Sequence, residues 1–222
     1  MKVLLVLAHP ERRSFNGALF DTAIRELSAL GHEPVTSDLY RMGFNPVSDR
    51  HNFRTVKDPV FLKLQAEETY ASESGGFVQE LESEIRKLES CDLLVLQFPL
   101  WWFGLPAILK GWFDRALPMG RAYGAGAMYE KGKFRGKRAM LCLTTGGPED
   151  GYCSSGLHGS IDAILRPIHR GILQFVGFDI LAPQIHYGAA RATGEQREQW
   201  LARYAGRLRA IENETPIVVG RY

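Results

Sequence analysis

No run of five or more lysines and arginines occurs in the 222 residues, and 27 basic side chains are nearly balanced by 25 acidic ones, a net charge of +2. That balance gives no reason to expect nucleic acid or a membrane surface as a partner. Cysteine is scarce: Cys91, Cys142 and Cys153 are odd in number and form no CxxC pair. Neither a disulfide framework nor a zinc site is expected, and reduced thiols fit a cytoplasmic protein. His32, His51, His169 and His186 show no metal-like spacing, so no metal is expected. No apolar stretch approaches the roughly 20 residues needed to cross a bilayer. Met1 to Ala8 is apolar but short, lacks a cleavage-site pattern and runs directly into His9-Pro10, which reads as a first strand rather than a signal peptide. GxGxxG, GxxxxGK[ST] and GxSxG are all absent. Their absence argues against a Rossmann dinucleotide fingerprint, a Walker A phosphate loop and a serine-hydrolase elbow. There is no repeat, linker or low-complexity segment, so residues 1–222 are read as one domain.

What remains is ordinary globular material, 45% hydrophobic and 23% charged. Val3 to Ala8, Leu93 to Phe98 and Arg138 to Thr144 are continuous apolar runs, the pattern of strands covered on both faces. Glu33 to Tyr40 and Phe178 to Gln184 are weaker strand candidates. Helical spacing appears at Leu19, Ala23, Leu27 and Leu30, and again at Phe77, Leu81, Ile85 and Leu88. It recurs over Pro106 to Leu117, over Ile161 to Phe175 with interruptions at Pro167 and Gly171, and at Leu201, Tyr204, Leu208 and Ile211. Residues 41–72 lack clear periodicity and predict an irregular excursion with one short helix. Strands alternating with helices call for an α/β fold with a doubly wound parallel sheet. Ligands of such sheets bind at the carboxyl ends of the strands.

Three loops leave those ends. The first, His9 to Asn16, leads into a helix whose unpaired N–H groups favour phosphate, with His9, Ser14 and Asn16 as added donors. The alternative is that Ser14 or Asn16 merely caps the helix. The second, Pro99-Leu100-Trp101-Trp102-Phe103-Gly104, sets three aromatics directly after a strand. They cannot all point inward from a turn, and a flat aromatic ligand stacked there explains them. The third, Thr145 to His158, combines glycines that let the backbone approach a ring with Tyr152 and His158, both able to move a proton or stabilise an anion. A lone loop histidine is more often structural.

The segments LAHPERRSFN, FPLWWFGLPAILKGWFDR and TTGGPEDGY with the following GLHG resemble those of the NAD(P)H:quinone dehydrogenases of the DT-diaphorase type, over nearly the whole chain. The resemblance implies a flavodoxin-like five-stranded sheet with helices on both faces, and a homodimer with active sites at its interface. It also implies bound FAD, with NAD(P)H as co-substrate and a quinone or similar flat acceptor reduced in a ping-pong cycle. His9, Ser14, Phe15 and Asn16 would hold the pyrophosphate and ribityl chain. Pro99, Leu100, Trp102, Phe103, Thr145, Gly146 and Gly147 would cradle the flavin ring, with Trp101 beside them where mammalian members carry glutamine. Arg197 and Leu201 match positions near the adenine end, which favours FAD over FMN. Tyr152 and His158 match the catalytic pair. Tyr123, Met128 and Phe175 would frame the nicotinamide and quinone pocket, partly from the opposite subunit. Ala125 departs from the family by replacing a second tyrosine in that pocket's loop. A regulatory flavin-binding subunit of a potassium efflux system is the alternative, with 41–72 as its docking surface.

Overall fold

In the computed structural model, which describes residues 1–221, the three continuous apolar runs form the centre of a parallel sheet. β1 (Lys2–Leu7), β3 (Leu93–Pro99) and β4 (Arg138–Thr144) are buried along almost their whole length. Their alternate side chains serve two cores. Leu4, Val6, Leu94 and Leu96 belong to one apolar cluster, and Val3, Leu5, Leu7 and Val95 to the other. A strand with a core on each face has no side to leave polar, which is why these runs do not alternate. β2 (Glu33–Asp38) pairs outside β1 and is only partly covered, so its sequence is mixed. The spatial order β2-β1-β3-β4-β5 is that of a flavodoxin-like sheet.

α1 (Phe15–Ala29) and α6 (Gly194–Arg209) cover one face through Leu19, Leu27, Tyr204 and Leu208. Thr193 and Gln196 close a capping box at the start of α6, a device worth about 0.5–2 kcal/mol. α3 (Gln79–Ser90) and α4 (Ala107–Ala116) cover the other face through Leu81, Ile85, Leu109 and Trp112. α5 (Ile161–Ile168) also packs there and continues as a π-helical turn over His169–Gln174. Pro167 has no N–H to donate, and the wider turn follows directly after it.

Two expectations are refined. The final strand is not continuous over 178–184. It splits into β5 (Asp179–Ile180) and β6 (Gln184–His186), both pairing with β4. Pro183 sits in the break, where it cannot donate to the ladder. Within the 41–72 excursion, a single 3-10 turn (Arg50–Asn52) precedes α2, which spans Leu64–Ser74 and ends on Gly75 at φ +67°. The excursion is tied down by buried Arg115 of α4, whose Nε donates to Asn52 Oδ1 at 2.7 Å and whose Nη1 donates to the Asn45 carbonyl at 2.5 Å. Gly111 gives it room: a Cβ there would lie 2.2 Å from the Pro46 carbonyl oxygen.

Gly111→Ala is therefore expected to destabilise the protein by about 1–3 kcal/mol through overpacking, despite alanine's better helix propensity. A denaturation midpoint equal to or above that of the parent would show that Pro46 does not press on α4.

Candidate functional site

The loops after β1, β3 and β4 meet at the carboxyl edge of the sheet around a cleft of about 460 Å³. Its floor is polar and buried. Gln97 donates from Nε2 to Asn16 Oδ1 at 2.7 Å, and Asn16 donates from Nδ2 to Thr144 Oγ1 at 2.9 Å. The Asn16 side chain is thus committed to the floor. Its expected role toward a ligand passes to its backbone N–H, one of the first-turn donors of α1 that no helical carbonyl satisfies. Ser14 does cap α1, its Oγ accepting from the Gly17 N–H at 3.2 Å, and it also lines the cleft. His9 Nδ1 lies 3.0 Å from both the backbone nitrogen and the carbonyl oxygen of Glu11, so Glu11 holds the ring in place in either tautomer. Arg13 and Phe15 complete this wall, and the Phe15 ring is backed by His186 at 5.3 Å and Trp200 at 5.7 Å. Burial pushes His186 down to about 4, so it stands there as a neutral ring.

Pro99, Leu100 and Trp101 form the opposite wall. The backbones of Trp101 and Gly104 bond each other in both directions, at 3.2 and 3.0 Å, closing a two-residue turn. Both turn residues, Trp102 and Phe103, lie in the left-handed region at φ +52° and +56°. Such turns ordinarily carry Asn-Gly, and each non-glycine residue held there costs about 1–3 kcal/mol. The three aromatics do not make one stacking surface. Trp101 lines the cleft, Trp102 is 97% exposed, and Phe103 turns onto His158 with ring centroids 5.4 Å apart.

In the third loop, Thr145 Oγ1 donates to the Gly147 carbonyl at 2.7 Å and accepts from the Gly188 N–H at 3.2 Å. Gly146 lines the cleft, and a Cβ there would meet nothing within 4 Å, so the open space begins at its backbone. Next to it, Gly147 is pressed by both expected catalytic side chains. A Cβ there would lie 3.6 Å from the Tyr152 hydroxyl and 3.4 Å from His158 Nε2. The two rings are 4.9 Å apart, and Tyr187 backs Tyr152 at 5.6 Å. Burial holds the Tyr187 phenol above its usual range.

Arg197 reaches the cleft from α6. Its Nη2 donates to the Ala189 carbonyl at 3.2 Å, while its buried Nε has no partner among the described residues. An unpaired guanidinium N–H, free first-turn N–H groups and an open glycine backbone together fit a flat heteroaromatic ring carrying an anionic tail. Leu201 packs instead against the core beneath α6. Sequence reasoning did not name Thr144, Ala189 and Ala190, which also line the cleft. Thr144 ends a strand and could have been found on that ground, whereas the two alanines carry no chemical signal.

Tyr123 and Phe175 meet edge to face at 5.7 Å, but they line a separate groove of about 540 Å³ that shares no lining residue with the cleft. Met128 is exposed and lines neither. One chain therefore does not bring these three to the cleft.

The family model for the flavodoxin-like fold matches residues 1–211. NAD(P)H dehydrogenase (quinone) 1 of Cavia porcellus is 43% identical over 217 residues, covering 97% of this chain and 79% of that protein. Ribosyldihydronicotinamide dehydrogenase (quinone) of Rattus norvegicus is 41% identical over 217 residues, covering 97% and 94%. Among solved structures, a candidate quinone reductase from Klebsiella pneumoniae superposes with a TM-score of 0.94 at 40% identity, covering 98% of this chain and 87% of that one.

Replacing Trp102-Phe103 by Asn-Gly is expected to raise stability by about 1–3 kcal/mol by relieving the left-handed strain. It should also loosen the third loop, because Phe103 no longer supports His158. Unchanged stability in a denaturant titration would show that the turn is not strained.

Proposed function

Since the chain belongs to the flavodoxin-like fold family and, within it, to the NAD(P)H-dependent quinone oxidoreductases, we propose that it binds FAD in this cleft and couples NAD(P)H oxidation to two-electron reduction of a quinone in a ping-pong cycle. The flavin would supply the ring that accepts and returns hydride. His9, the Ser14 hydroxyl, the N–H groups of Phe15 and Asn16 and the Arg197 guanidinium would hold its phosphates and adenine end, where a helix start favours anions. Pro99, Leu100, Trp101, Thr145 and Gly146 would hold the ring. Phe103 and Gly147 position the catalytic pair behind them.

The convergence of the Tyr152 hydroxyl and His158 Nε2 on Gly147 carries this reading. Electron density arriving on a ring beside Gly146 needs a nearby compensating donor. A phenol and an imidazole aimed at the same point can each stabilise that charge, and either can hold or pass the proton. Tyr187 and Phe103 hold the two rings from behind, so neither must reorganise during turnover. Tyr123, Met128 and Phe175 would frame the acceptor from a second copy of the chain, which makes the working form a cytoplasmic homodimer with shared sites. Among the described residues no helix is long and apolar enough to cross a membrane.

Heating the purified protein is expected to release FAD, identified by mass, and steady-state NAD(P)H oxidation with menadione should exceed the blank. A protein that stays colourless with excess FAD or FMN and never exceeds the blank contradicts the proposal. The Tyr152→Phe/His158→Gln double variant should retain the flavin but lose about 10²-fold in kcat. Full turnover by that variant would remove the pair from the mechanism.

A further inference from the structure

The cleft has no carboxylate in its lining, and its two guanidinium groups come from different elements, Arg197 from α6 and Arg13 from the loop before α1. They are held very differently. Arg197 is partly covered, and its Nη2 donates to the Ala189 carbonyl at 3.2 Å. The Arg13 side chain is 91% exposed. Its protein partner is Glu11, whose Oε1 accepts from the Arg13 N–H at 2.7 Å and from Nε at 3.4 Å. The terminal nitrogens Nη1 and Nη2 meet no protein group among the described residues. An exposed ion pair of this length contributes little and is easily exchanged for another.

The charges around Arg13 leave it free to make that exchange. A hollow of about 390 Å³ adjoins the cleft and shares Arg13 and Ser14 with it. There Asp21 Oδ2 accepts from Arg12 Nη1 at 3.0 Å, and Asp38 Oδ2 lies 3.4 Å from Arg12 Nε. Both acids are thus committed to Arg12. Arg41, also in that lining, has no ion-pair partner among the described residues. The first turn of α1 carries no acidic side chain, so the positive end of the helix is uncompensated. Glu11 is therefore the acid that Arg13 meets. The Arg13 N–H, and after it the guanidinium, hold the Glu11 carboxyl below the usual carboxylate range. A phosphate beside Ser14 would offer the guanidinium fork two oxygens, where Glu11 meets it with one.

We infer that Arg13 is a further phosphate-binding residue of the cleft, exchanging Glu11 for the phosphate of a bound nucleotide, with Glu11 as the competitor that limits the affinity. The inference rests on the reading that the cleft holds a flavin nucleotide, and it adds a residue to that site. Two guanidiniums then match the two charges of a pyrophosphate. A flavin without phosphate offers Arg13 nothing, so this residue separates nucleotide from nucleoside by charge alone.

The test is equilibrium titration of the full chain, freed of flavin by dialysis against bromide, with FAD, ADP and riboflavin, the last of which carries no phosphate. Flavin fluorescence reports FAD and riboflavin, and calorimetry reports ADP. At low salt Arg13→Ala should bind FAD and ADP about tenfold more weakly than the parent, and riboflavin equally well. The gap should close toward about 1 M salt, where exposed charges are screened. Glu11→Gln should tighten FAD about threefold in the parent and leave Arg13→Ala unchanged. Should Arg13→Ala melt early, Arg13→Gln, which keeps part of the stem, takes its place in the same titrations. Equal FAD affinity in parent and variant, an equal loss for riboflavin, or a Glu11→Gln effect that persists without Arg13 would each overturn the inference. FAD binding and menadione turnover with no dependence on Arg13 remove only this residue. Arg13-dependent ADP binding in a chain that takes up no flavin keeps the phosphate contact and removes only the proposed function. A parent that binds neither ADP nor FAD overturns both.

Discussion

The site depends on one buried chain of hydrogen bonds, Gln97 to Asn16 to Thr144. It joins the start of α1 to the ends of β3 and β4, so three elements from distant parts of the sequence are held at fixed heights. Each partner is almost wholly buried, and a break would strand polar atoms in the core, which is far more costly than the bond itself is worth. The loops above can therefore vary in composition while their starting points stay fixed. Gln97 is the only polar side chain in an otherwise apolar stretch of β3, and this network accounts for it.

Above that floor, aromatic contacts take over from hydrogen bonds. Phe103, His158, Tyr152 and Tyr187 form a row with neighbouring centroids 4.9 to 5.6 Å apart. The row crosses from the second loop to the third and on to the segment after β6. Loops joined this way share their mobility. The left-handed turn at Trp102 and Phe103 is what aims Phe103 along the row, so local backbone strain is exchanged for alignment of the His158 and Tyr152 rings.

Much of this is legible in the residues. The runs at Val3, Leu93 and Arg138 are the central strands because continuous burial leaves a continuous pattern. The three loops, the capping role of Ser14 and the Tyr152/His158 pair follow from position relative to those strands. α2 is hidden inside the excursion for a physical reason: it buries Glu67, Glu68 and Ala71, so its covered face does not read as apolar. The direction of Trp102 is equally hidden, since nothing in a Trp-Trp-Phe sequence signals positive φ. Tyr123 and Phe175 do meet each other, but their separation from the cleft is a matter of three-dimensional distance that spacing does not encode.

The divided outer strand has a consequence for how the molecule behaves in a crowded solution. An unbroken outer strand beside β4 would present a row of free amide groups on which another chain could extend the sheet. Here the row is cut into pieces of two and three residues with Pro183 between them. The Ile180 carbonyl is also taken by the Ile217 N–H of the C-terminal segment at 2.7 Å. This edge of the sheet is thereby a poor template for a further strand, at the small cost of a few ladder bonds.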